Sequence, residues 1–214
     1  MRTSTRWTVA VLAVLAALVV AMSVKLTDRP ARPQTGETAA AAARTHRDAD
    51  TPEALAGPRQ RAGLPPCPAG AGGEGPARLR DVVVECAADG STVDVARALA
   101  DRAVVLNFWA YWCGPCADEL PAMQEFQRRA GQSVEVLTVH QDENESAALL
   151  RMADLGVRLP VLQDGRRSIA AALGVPNVMP ATVVLRRDGS VAQVLPQPFT
   201  SADDIAAAVD AALR

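Results

Sequence analysis

Cys113-Gly114-Pro115-Cys116 is the stretch of this 214-residue chain best suited to chemistry. Two thiols at i and i+3 on a helix lie about one turn apart, close enough to close and reopen a disulfide. They follow the apolar run Ala103-Val104-Val105-Leu106-Asn107-Phe108-Trp109, which reads as a buried strand that delivers the pair to the first turn of a helix. Unpaired N–H groups and the positive end of the helix dipole there favour thiolate over thiol. Cys113, at the N-cap, is therefore expected to be exposed and to be the attacking thiolate. Cys116, one turn in, is expected to be more buried and to resolve the mixed disulfide. Pro115 is tolerated because the first turn does not need its N–H. The competing use of such a pair is half of a zinc site, but neither a second Cys-x-x-Cys nor a histidine at matching spacing is present, so no metal and no cofactor is assigned.

Cys67 and Cys86 remain. If the first pair is local, these two can join, closing a loop of about 20 residues and contributing on the order of 3 kcal/mol by the chain-entropy model. The alternative leaves Cys86 as a small buried hydrophobe and Cys67 as a free thiol.

The elements that must position these sulfurs alternate between strand and helix, the pattern of a mixed α/β domain. Strands are expected at Val82–Val84, Val104–Trp109 and Val134–Val139, and as a hairpin of Thr182–Arg186 with Val191–Leu195 around Asp188-Gly189. Helices are expected at Asp94–Leu99, Cys113–Ala130, Ser146–Leu155, Arg167–Leu173 and Ala202–Leu213. Trp109 and Phe126 read as core, whereas Trp112, next to Cys113, reads as a flank of the sulfur that touches a partner. His46 and His140 read as structural or solvated.

Outside that domain the composition changes. Trp7–Val24 is 18 residues without a charge, about 27 Å as a helix and close to the hydrocarbon thickness of a bilayer. Residues 1–24 are read as a transmembrane anchor, with a cleavable signal peptide ending near Ala21-Met22-Ser23 as the alternative. Residues 25–76 carry eight prolines and seven glycines, with Leu26, Leu55 and Leu64 as the only large aliphatics and no aromatic. They read as a disordered tether, with the Ala39–Ala43 run as a candidate short helix. The folded domain is taken as residues 77–214. Two cysteines beyond the Cys-x-x-Cys pair favour an oxidising compartment, so the domain is placed outside the cytoplasmic membrane on a single-pass anchor. A net charge of −2 gives no electrostatic argument for nucleic acid.

Four stretches together carry a family likeness: Asn107-Phe108-Trp109-Ala110, Trp112 to Cys116, Glu119-Leu120-Pro121, and Pro180-Ala181-Thr182 running on to Asp188-Gly189. They resemble the thioredoxin-fold proteins and, within them, the membrane-tethered TlpA/ResA-like thiol-disulfide oxidoreductases, over residues 77–214. The resemblance implies a thioredoxin fold, with residues 143–155 as the extra central element of that branch. It implies that Pro180 is a cis-proline facing the disulfide and that the Met179 main chain receives substrate, with Trp112, Gly114 and Pro115 also in contact. It further implies that Glu119, three residues after Cys116, exchanges a proton with that cysteine. Asn107 stands where thioredoxins carry a buried aspartate, and an amide cannot titrate. Departures are a Gly174–Pro180 loop one residue longer than usual, and Val183 and Arg186 in place of aromatic and acidic residues.

The activity so implied is extracytoplasmic thiol-disulfide exchange by a monomer, acting as a reductase on protein disulfides. Apocytochrome c thiols are one implied substrate, and a membrane thiol transporter is the implied electron donor. A disulfide-forming oxidase is the enzymatic alternative. A Cu(I) metallochaperone, with Cys113, Cys116 and Met179 as soft ligands, is the alternative from another class.

Overall fold

The computed structural model describes residues 46–70 and 72–214. The expected anchor at 1–24, the Ala39–Ala43 run and the first part of the expected tether lie outside the described residues. Among the described residues no helix is long and apolar enough to cross a membrane.

In chain order the elements are α1 (Pro52–Ala62), a 3-10 turn (Ala77–Leu79), β1 (Val83–Cys86), β2 (Thr92–Asp94), α2 (Val95–Ala98), β3 (Val104–Trp109), α3 (Gly114–Ala130), β4 (Glu135–His140), α4 (Glu145–Leu155), β5 (Val161–Gln163), α5 (Ser168–Leu173), β6 (Ala181–Leu185), β7 (Val191–Leu195) and α6 (Ala202–Leu213). The strands form one sheet in the order β2-β1-β5-β4-β3-β6-β7. β3, β4 and β5 run parallel, while β6, β7, β1 and β2 join antiparallel. This mixed sheet with helices on both faces is the thioredoxin fold.

β3 is buried along its whole length, as a continuous apolar run should be when both faces are covered. Alternation then divides the core. Val105 and Trp109 pack with Leu120, Met123 and Phe126 of α3, Leu149 and Met152 of α4, and Ile205 and Val209 of α6. Val104, Leu106 and Phe108 face the other way, onto α2, α5 and Leu79 of the 3-10 turn. Asn107 shares the face of Val105 and Trp109 because side chains two apart on a strand point the same way.

The expected tether differs from what the structure shows over its second part. Thr51 caps α1 by accepting the Ala54 N–H, Pro52 starts it, and Gly63, left-handed at φ 53°, closes it. Few apolar residues suffice because the helix leans on a ready-made partner. Leu55 and Ala62 are buried in the core cluster that includes α4, and the Arg59 guanidinium donates to Glu145 Oε1 at 2.9 Å. Further on, the glycines permit close approach rather than looseness. A side chain at Gly75 would collide with the Ala96 carbonyl. Cys67 is disulfide-bonded to Cys86 of β1, the second of the two expected bridges.

The three-residue strands β2 and β5 were not expected. Both are too short for alternation to reveal, and β5 depends on pairing with β4 and β1.

Candidate active site

The strand-to-helix junction after β3 is built as the residue order requires. Cys113 is the N-cap of α3, and its Sγ accepts the Cys116 N–H at 3.3 Å. Its own N–H donates to the Ala110 carbonyl at 3.0 Å, closing the turn that leaves the strand. Cys113 and Cys116 are joined as a disulfide. One expectation is corrected here: Cys113 is 5% exposed, against 0% for Cys116, so the N-cap sulfur is nearly covered. With the bond closed, each sulfur shields the other and half-buried Met179 packs against the same cluster. The surface around the pair comes from its neighbours, Gly114 and Pro115, which are exposed, and Trp112 and Val178, 56% and 45% exposed. The Met179–Pro180 peptide bond is cis, and Pro180 is buried at the start of β6.

Glu119 lies one turn beyond Cys116 on the buried face of α3. Its side chain is fully enclosed, with Oε2 accepting from Asn107 Nδ2 at 2.7 Å and Oε1 from the Phe199 N–H at 3.0 Å. Loss of hydration opposes the charged form, and these two donors only partly restore it. The carboxyl is pushed up to about 7, burial being the larger influence. A group poised there takes or gives a proton near neutrality.

The Trp112 indole is held from outside the junction, its Nε1 donating to Asp142 Oδ2 at 2.9 Å. The other oxygen of Asp142 takes the Asn144 N–H at 2.9 Å, so the loop after β4 is fixed to the flank of the sulfur site. Arg151 of α4 reaches the Tyr111 carbonyl at 3.2 Å. Beneath, His140 is fully buried, its ring 4.9 Å from that of Trp109 and its Nδ1 2.9 Å from Gln163 Oε1. Burial pushes its imidazole down to about 4, which leaves it neutral and structural.

The structure thus brings Trp112, Cys113, Cys116 and Glu119 together on one junction, as their spacing indicated, and gathers Val178, Met179 and Pro180 in one loop leading into β6. Cys67 and Cys86 stand apart, on the opposite face of the sheet. Asp142, Arg151 and the Phe199 N–H were missed. None has a periodic or motif signal, and only the fold brings them to the site. His46 lies away from the junction, half-buried, with its Nε2 2.7 Å from Glu85 Oε2.

The chain is similar to known proteins in sequence and fold. The chain is 33% identical to the thiol-disulfide oxidoreductase ResA of Bacillus subtilis (strain 168) over 103 residues, 48% of this chain and 57% of that protein. It therefore spans little more than half the length of the curated relatives it matches. Among solved structures, MTB dsbF in its mixed oxidized and reduced forms matches with a TM-score of 0.57 and 25% identity, covering 64% of this chain and 98% of that one. A DsbF homologue from Corynebacterium diphtheriae matches with a TM-score of 0.55 and 29% identity, over 62% of this chain and 85% of that one. The Redoxin family model matches residues 71–210, a span that holds both cysteines of the junction, Glu119 and the cis-proline, and the chain belongs to the Redoxin family.

Proposed function

We propose that this chain is a thiol-disulfide oxidoreductase that reduces disulfides of protein substrates outside the cytoplasmic membrane, to which residues 1–24 anchor it. The observation that carries the reading is the Cys113–Cys116 disulfide at the N-terminus of α3, with a carboxyl of pKa about 7 buried one turn further along the same helix. The bonded form is the product state of such a reductase.

In the reduced protein the Cys113 thiolate attacks a substrate disulfide, forms a mixed disulfide and expels the first substrate sulfur as thiolate. Cys116, its proton passed to Glu119, then attacks Cys113 Sγ and expels the second substrate sulfur. The substrate gains two electrons, and the protein ends with its own bond closed. A reduced thiol donor restores the pair by the reverse exchange, and the resemblance to TlpA/ResA-like proteins points to one held in the membrane. Exposed Trp112 and Val178, with Gly114, Pro115 and the Met179 main chain, are the surface on which a substrate strand settles. The same resemblance points to apocytochrome c as one substrate.

The test is a pair of variants assayed with an insulin-type disulfide substrate. Cys113→Ser should abolish exchange, and Cys116→Ser should accumulate mixed disulfides because the attacking sulfur has lost its resolver. Full turnover by Cys113→Ser ends the proposal. The reduction potential of the pair decides direction, since a value near that of strong oxidants assigns the chain to disulfide formation instead.

A further inference from the structure

We propose that His46 Nδ1 and Glu145 Oε2 bind a first-row divalent cation of the Zn²⁺ class, with Glu85 supporting the imidazole from its other nitrogen, so that the ion staples together distant parts of the chain. His46 precedes α1, Glu85 lies on β1, and Glu145 is the first residue of α4. One ligand atom from each lies within 4.8 Å of the others.

The geometry at Glu145 is the core of the inference. Its side chain is fully buried, and Arg59 holds Oε1 at 2.9 Å. Oε2 is thereby turned to face His46 Nδ1 at 3.2 Å. Neither of these two buried atoms makes a hydrogen bond among the described residues. Two buried acceptor atoms so close must share either a proton, as an ion pair, or a cation. An ion about 2.0–2.1 Å from each subtends roughly 100° between them, near the tetrahedral angle zinc adopts.

The rest of the surroundings agree. On the far side of the ring, Nε2 is 2.7 Å from Glu85 Oε2. A proton shared there fixes the tautomer that leaves Nδ1 free and makes the imidazole a better donor, the arrangement that commonly supports metal-bound histidines. Four carboxylates (Asp50, Glu85, Asp89, Glu145) surround the position, against the guanidinium groups of Arg47, which pairs with Asp50, and Arg59. The Glu145 carboxylate facing Nδ1 raises the His46 pKa, so a proton competes for this position; with a cation in the proton's place, the imidazole is neutral and the surroundings carry an excess of two negative charges, matched to a dication. A cavity of about 330 Å³ lined by His46, Asp50, Arg59, Glu85 and Asp89 lies beside the ring. The competitor for the gap is a proton on Nδ1, which pairs imidazolium with both carboxylates and needs no metal.

The experiment uses the full chain with both disulfides closed, so that no thiolate takes the metal. Zn²⁺ titrated by calorimetry at pH 7.5 should bind 1:1. His46→Ala and, separately, Glu85→Gln should each weaken binding by about 10–100-fold, with far-UV circular dichroism unchanged. Nitrogen-15 spectra of the His46 ring should show Nδ1 shifting on addition of the ion. Absence of binding, binding undiminished in His46→Ala, or a His46 Nδ1 that carries a proton and is indifferent to Zn²⁺ overturns the proposal in favour of the proton pair.

Discussion

Asn107 Nδ2 donates to Glu119 Oε2 across 2.7 Å of fully buried interior, so the amide on β3 and the carboxyl on α3 act as one unit behind the disulfide. Only the carboxyl titrates. Glu119→Gln should leave the fold intact, shift the Cys116 titration and slow resolution of the mixed disulfide. Thiolate absorbance and the decay of the trapped species measure both, and an unchanged profile would remove Glu119 from the proton path.

The same carboxyl makes stability depend on pH. Its folded value of about 7 lies above the ordinary 4.5, so between those limits the folded chain holds a proton that the unfolded chain has released. The associated stability is complete below about pH 4.5 and is lost as pH rises to 7, by on the order of 3 kcal/mol. Denaturant melts from pH 4.5 to 8 should show this fall in the parent and lose most of it in Glu119→Gln.

Asp142 tests the indole anchor. Asp142→Ala frees the Trp112 Nε1–H, and one exposed hydrogen bond is worth about 1 kcal/mol. The KM for a protein disulfide should rise about fivefold, while the cysteine titration stays where it was. A changed titration with unchanged KM would mean that Asp142 acts on the sulfur and not on the docking face.

Leu55→Ala tests the folding of the segment read as tether. Leu55 is 2% exposed in the shared core, and truncating a buried leucine costs about 2–5 kcal/mol. Equilibrium unfolding should show that loss, and the backbone-bonded amides of α1, from Leu55 onward, should lose their protection from exchange. A neutral substitution would return α1 to the tether.

For the second disulfide, opening the 19-residue separation between Cys67 and Cys86 in the double alanine variant should cost about 3 kcal/mol. Graded reductant with peptide mapping should open Cys113–Cys116 first, because structural bridges have the lower potentials. Simultaneous opening would contradict a structural role.

The junction was legible from sequence because its signals are local. An apolar run, a Cys-x-x-Cys and a glutamate three residues on specify strand, N-cap and helix face without reference to the rest of the chain. α1 was not, since Leu55 and Ala62 are its whole buried stock, and the partners that hold it, Glu145 and α4, come more than eighty residues later. β2 and β5 are three residues each and exist only through their neighbours. The state of His140 was equally hidden, because a strand-end histidine is solvated or entombed according to what packs on it, here Trp109 and Gln163.

The placement of the two disulfides on opposite faces of one sheet has an electrical consequence. Exchange between thiols and disulfides requires in-line contact of the sulfur atoms. Cys113 and Cys116 belong to one side of the sheet and Cys67 and Cys86 to the other, with the fully buried strand β3 and its neighbours as the insulating layer between them. The junction pair lies under an exposed rim of Trp112, Gly114 and Pro115, and the Cys67–Cys86 pair lies behind the sheet, so exchange at the first has no in-line path to the second.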